Sequence, residues 1–195
     1  MTKERLEAFS DGVLAIIITI MVLGLKAPDE ASLRALAPLL PVLVSYILSF
    51  VFLGIYWTNH HHLCQAISKV DGRLLWANLH LLFWLSLIPF VTAWNGQTNF
   101  AAVPAALYGT ILLFAAVAYF LLTKALIALH GKGSVIATAL GTDFKGKISV
   151  VLYLGAVPLA FVNPWISFGL YIFVALMWLV PDRRIERIFA GQNGR

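Results

Sequence analysis

The chain lacks most of what holds a small soluble protein together. Cys64 is the single cysteine in 195 residues, so no internal disulfide can form. Charged residues make up 12%, about half the share of an ordinary soluble domain. Acidic groups are the scarcer sign, 9 against 14 Lys and Arg, and the net charge is +5. Gly-x-Ser-x-Gly, His-Glu-x-x-His and the Gly-rich phosphate loop are all missing, which removes the common sequence grounds for a membrane enzyme. The carbonyl filter sequence Thr-Val-Gly-Tyr-Gly is missing too; Tyr108-Gly109 follows alanine and leucine.

What is present is apolar. Hydrophobic residues account for 61%, and the mean hydropathy is +0.87. A short chain leaves most of its residues near its surface, so the solvent for much of this one is lipid. That excludes a cytosolic enzyme, a secreted disulfide scaffold and a disordered chain. The expected fold class is an all-α integral membrane protein with one domain over 1–195. Continuous apolar runs, not alternating ones, argue against a β-barrel.

Six spans are expected, at 9–25, 36–58, 74–94, 101–123, 148–162 and 165–180. A span takes about 20 residues, about 17 at the short end, and the last two fall below that. Asn163-Pro164 divides them, and proline does not continue a helix interior. One kinked helix over 148–180 would reach about 50 Å, too long for an ordinary span, so a tight helical hairpin is expected. The first stretch is not read as a cleaved leader, because Glu4, Glu7 and Asp11 interrupt its basic end and no small-x-small site follows.

Charge position sets orientation. With six spans, 12 of the 14 basic residues fall on the side of the termini, including Lys3, Arg5, Lys69, Arg73, Lys132, Arg183, Arg184 and Arg187. Lys26 and Arg34 fall on the other. The positive-inside rule then puts both termini in the cytoplasm. The net positive charge is thus spent at the membrane face, and no nucleic-acid partner is expected. The tail from Asp182 to Arg187 reads as a basic helix at the membrane edge, suited to lipid.

Span 1 opens on polar residues: Arg5-Leu6-Glu7-Ala8-Phe9-Ser10-Asp11-Gly12. Ser10 and Asp11 are ordinary helix-capping residues, which is the plain reading. Against it, Glu7 and Asp11 are four apart and repel, while Arg5 and Asp11 are six apart and do not meet on one helix. A carboxylate at a membrane edge is costly alone, so Asp11 calls for a partner from another helix. Ala8, Gly12, Ala15 and Thr19 form a small-residue strip suited to close helix packing. Ile16, Ile20 and Leu23 lie beside it at helical spacing, and spacing alone makes them lipid-facing or core.

These residues carry a family resemblance. Arg5-x-x-x-Phe9-Ser10-Asp11 resembles the Arg-x-x-x-Phe-Ser-Asp signature of the potassium channels called transmembrane protein 175, and the tail Ile16 to Leu23 is similar to that family's first helix. Tyr56-Trp57-Thr58-Asn59-His60 resembles its Trp-x-x-His, and span 3, with Asn78 and Leu87-Ile88-Pro89-Phe90, is similar too. The resemblance is sharp over spans 1 to 3. It implies a potassium-selective, leak-type cation channel of a prokaryotic cell membrane. Animal members carry two repeats and this chain one, so a homotetramer is implied, with span 1 lining the pore. Ile16, Ile20 and Leu23 would form a hydrophobic constriction and Thr19 a ring of hydroxyls. Arg5, Phe9, Ser10 and Asp11 would join Trp57 and His60 in an interhelical network. No cofactor is implied beyond potassium as the permeant ion, and no protein partner.

The remaining candidates are weaker. His60, His61 and His62 point in different directions on a helix, and His60 with Cys64 gives two zinc ligands, short of a usual site. His80 and Asn78 are expected to bond within the bundle. The six tryptophans lie mostly near span ends, which suits anchors at the membrane interface. A proton-conducting channel or a secondary transporter is the alternative function. A transporter favours charged residues at mid-membrane, and spans 4 to 6 hold no acidic residue.

Overall fold

The computed structural model describes residues 2–65, 67–131 and 144–179. Among them are seven α-helices: α1 (Lys3–Val22), α2 (Leu40–Gln65), α3 (Gly72–Ser86), α4 (Ile88–Gln97), α5 (Ala102–His130), α6 (Phe144–Leu159) and α7 (Pro164–Leu179). A 3-10 helix, Leu33–Leu39, leads into α2. Helices α3 and α4 are one rod interrupted at Leu87, so the described helices make six rods, and the protein is an all-helical membrane protein. Three rods, 33–65, 72–97 and 102–130, are long and apolar enough to cross a membrane.

The boundaries differ from the expected spans where polar residues continue a helix. The first helix starts at Lys3, because the polar side chains ahead of the apolar run find partners on other helices and need not unwind. The same holds at the end of α2, where Asn59 to Gln65 stay helical. The third span is broken at Leu87: Pro89 lacks an N–H for the ladder, and α4 restarts with it in its first turn. Helix α5 runs on to His130 and stops at Gly131, whose φ of +89° suits glycine. The segment 132–143 and everything after Leu179 lie outside the described residues, including Lys132, the C-terminal arginines and the proposed edge helix.

Helices α6 and α7 form a hairpin. Ser167 Oγ donates to the carbonyl of Ala156 at 2.7 Å, and Trp178 Nε1 donates to Ser149 Oγ at 2.9 Å. Partners therefore recede from the turn on both sides, the register of an antiparallel pair.

Helix α5 is central, packed by α3, α4, α6 and α7. Its buried face carries Ala105, Ala106, Gly109, Ala115 and Ala118, small residues that let neighbours approach closely. Tyr171 of α7 uses that space: it lies against Gly109, and its hydroxyl donates to the carbonyl of Ala105 at 3.1 Å. Hydroxyls pin α2, α4 and α5 together. Thr92 donates to the carbonyl of Ile88 at 2.7 Å, which uses its one proton. Ser49 must then donate to Thr92 at 2.6 Å, and Tyr108 to Ser49 at 3.0 Å. Ser45 donates to the carbonyl of Thr92 at 2.8 Å.

The α2–α3 connection is held by the end of α5. His130 Nδ1 bonds the carbonyl of Leu126 at 3.0 Å, so Nδ1 carries the proton. Its Nε2 then accepts from the amides of Ser68 at 3.0 Å and Lys69 at 3.3 Å. Two measurements test these contacts. A Cβ added at Gly96 would lie 2.5 Å from the backbone Cα of Val42, so Gly96→Ala is expected to destabilise by about 1–3 kcal/mol in thermal unfolding of the detergent-solubilised protein. Removing the imidazole removes the acceptor, so amide exchange at Ser68 and Lys69 is expected to quicken in His130→Ala, and unchanged exchange would mean that the clamp does not hold the connection.

Candidate functional site: the polar end and the open face of helix 1

Three helices meet around the first turns of α1. Leu6, Ser10, Leu14, Ile17 and Met21 form its buried face, spaced three and four apart as a 3.6-residue helix requires. Ser10 is the polar member of that stripe. Its hydroxyl donates to the carbonyl of Leu6 at 2.8 Å and accepts from Asn78 Nδ2 of α3 at 2.9 Å. Asn78 Oδ1 in turn meets His60 Nε2 of α2 at 2.7 Å. The amide orientation makes Oδ1 the acceptor, so the Nε2 of His60 carries a proton. Its Nδ1 then accepts from the thiol of Cys64 at 3.6 Å. One directed chain thus runs Cys64, His60, Asn78, Ser10, Leu6, and every buried polar group in it has a partner.

Two further bonds tie α1 to α2. Trp57 Nε1 donates to Asp11 Oδ1 at 3.0 Å, a bond to a carboxylate, the stronger class of hydrogen bond. His61 Nδ1 meets Glu7 Oε1 at 3.1 Å, and Gln65 Nε2 donates to His61 Nε2 at 2.9 Å. Glu7 and Asp11, the repelling pair in the sequence, each bond a different residue of α2.

Of the residues singled out by sequence, Ser10, Asp11, Trp57 and His60 come together here. Arg5 and Phe9 do not: both are exposed, Phe9 by 50%. Asn78 is the link that joins Ser10 to His60, and Glu7–His61 is a contact that sequence reasoning passed over. An asparagine inside an apolar helix was the available signal for the first. His80 accepts from Trp84 Nε1 at 3.0 Å. Trp84 stacks on Phe114 at 4.5 Å, and Trp178 bonds Ser149, so these two tryptophans serve the bundle while Trp57, Trp76 and Trp165 are exposed. Among the described residues no three His, Cys, Asp or Glu side chains gather as a metal site.

The opposite face of α1 is open. Thr19 stands nine residues after Ser10, which is about 180° around the helix. Ala8, Gly12, Ala15 and Thr19 are all exposed, and no atom would lie within 4 Å of a Cβ on Gly12. Beside them Ile16, Ile20 and Leu23 are 58%, 49% and 76% exposed. The Thr19 hydroxyl bonds the carbonyls of Ala15 at 2.9 Å and Ile16 at 3.0 Å, leaving its oxygen lone pairs outward. The small-residue strip therefore packs on nothing among the described residues.

The chain is similar to known proteins over the same region and beyond it. Residues 5–89 match the family model described as endosomal/lysosomal potassium channel TMEM175. A protein named potassium channel from Chryseobacterium sp. (strain P1-3) is 53% identical over 187 residues, covering 96% of this chain and 97% of that one. The chain belongs to the TMEM175 family. Members of this family are ion channels and not enzymes. The crystal structure of a lysosomal potassium-selective channel TMEM175 homolog from Chamaesiphon minutus superposes with a TM-score of 0.79 at 29% identity, over 91% of this chain and 96% of that one. The mouse protein named endosomal/lysosomal proton channel TMEM175 is 27% identical over 112 residues, 55% of this chain and 22% of its own length.

The bridging role of Asn78 is testable. Asn78→Leu leaves the His60 Nε2–H without an acceptor, and a buried unpaired group costs about 1–3 kcal/mol. Thermal unfolding in detergent should show the loss, and an unchanged transition would mean that Asn78 does not bridge.

Proposed function

We propose that this chain is a potassium-selective, leak-type cation channel of a prokaryotic cell membrane, a homotetramer of one six-helix unit spanning 1–195 with both termini cytoplasmic. The observation that carries the reading is the open face of α1. A lipid-facing strip is ordinarily bulky; on α1 the outward side is Ala8, Gly12, Ala15 and Thr19, flanked by Ile16, Ile20 and Leu23. Small residues on a membrane helix call for a second helix in contact. In a tetramer the strip would meet neighbouring copies and the isoleucines would converge on the axis. The bacterial relatives named potassium channel support the choice of ion.

Selection would then rest on dehydration. A ring of Ile16 side chains offers no oxygen to replace lost water, and a narrow apolar ring gates by dewetting. An ion crossing it deforms its hydration shell, and potassium, which holds water less tightly than sodium, loses less. The Thr19 hydroxyls, one turn on, would resolvate it in part. Selectivity of this origin is modest. The reading as a proton-conducting channel has one specific support, the animal relatives named proton channel.

The test is the reversal potential of the purified protein in planar bilayers, with potassium on one side and sodium on the other. A shift toward the potassium equilibrium potential is expected, with Ile16→Asn moving it toward zero. An unchanged reversal potential in the variant would remove Ile16 as the filter. A reversal potential following an imposed pH gradient instead would favour protons.

A further inference from the structure

A cavity of about 40 Å³ lies between α2, α5, α6 and α7, walled by Phe52, Tyr56, Asn59, Ser149, Tyr153 and Trp178, among others. No residue of α1 lines it, so it is separate from the open face described above. Asn59 precedes His60 in the chain, which places the cavity at the level of the polar end of α1.

Some polar groups in its wall are already partnered. Ser149 accepts from Trp178 and donates to the carbonyl of Lys145 at 2.8 Å. Asn59 Nδ2 donates to the carbonyl of Ile55 at 2.8 Å. The phenols of Tyr56 and Tyr153 differ. Their described contacts are ring against ring, Tyr56 on Tyr119 and Tyr153 on Tyr171, and neither hydroxyl meets a donor or acceptor among the described residues. Tyr153 is 2% exposed. The buried side-chain oxygens without a partner among the described residues are Asn95 Oδ1 and Thr123 Oγ1, so the two phenol oxygens are not sealed off from a water molecule, and both tyrosines line the same small cavity.

Size and charge decide the occupant. A dry cavity that takes benzene measures about 150 Å³, well above this one. A water needs about 10–15 Å³ on the same measure and two to four polar partners, so the cavity has room for about three waters. A cation is disfavoured, because no acidic residue lines the wall among the described residues and the Lys145 ammonium stands 6.0 Å from the Trp178 ring.

We infer that each protomer holds a small water cluster in this cavity, bonded to the hydroxyls of Tyr56 and Tyr153. The α6–α7 hairpin then rests on α2 and α5 partly through exchangeable solvent. The inference does not depend on the ion conducted or on the number of subunits.

X-ray radiolytic footprinting of the full chain in detergent tests it, since hydroxyl radicals form from bound water next to the side chain they modify. Tyr171 is the internal control: it is 0% exposed, does not line the cavity, and its hydroxyl is bonded to Ala105. Tyr153 should be modified while Tyr171 is protected, and equal protection of the two would overturn the water cluster. The sign of a second measurement is equally decisive. In a hydrated cavity Tyr153→Phe takes a partner from bound water and lowers the melting temperature. In a dry one it deletes an unsatisfied hydroxyl and raises it.

Discussion

The hydrogen bond from Asn78 to Ser10 fixes how α1 is turned, and most of what this protein presents outward follows from that. In an apolar surrounding an unpaired polar group costs several kcal/mol, whereas sliding one leucine past another costs little. A helix packed only by Leu6, Leu14 and Ile17 could roll. Ser10, Asp11 and Glu7 prevent it, because each bonds a different residue on α2 or α3. The rotation being set at the polar end, the residues half a turn away along the rest of the helix are set as well. Thr19 and Ile16 point outward by a constraint that lies two turns below them.

The remainder of the bundle is organised around close approach at α5. Alanine and glycine on its buried face give up side-chain volume, and Tyr171 of α7 takes it at Gly109. Tyr108 and Tyr171 are the largest fully buried side chains, and each ends in a hydroxyl aimed at a neighbouring helix. This is a membrane solution: with lipid outside, apolar contact alone does not favour one arrangement of helices over another, and polar groups at a few points do.

The apolar content made the helical class legible, and Asn163-Pro164 made the hairpin legible, because proline acts locally. The need of Asp11 for a distant partner was legible from its repulsion by Glu7, and Trp57 is where the family resemblance pointed. What local pattern could not reveal was Asn78 standing between Ser10 and His60, since a bridge depends on three helices at once. The break at Leu87 was underread: Pro89 lies within an unbroken apolar run, and hydropathy does not register a missing N–H. Nor does any period in the sequence say that Tyr153 lines a cavity while Tyr171 reaches a carbonyl.

The hydroxyls of Tyr108, Ser49 and Thr92 look like a path along which a proton could hop, yet all of them are aligned in one direction. Thr92 has committed its hydrogen to the carbonyl of Ile88, so each bond upstream is aligned the same way. A relay must reverse every dipole after each transfer before it can pass another proton. Reversal would need Thr92 to turn its hydrogen from Ile88 to Ser49. The row is therefore an array of dipoles aligned one way, a tie that holds α2, α4 and α5 at one point.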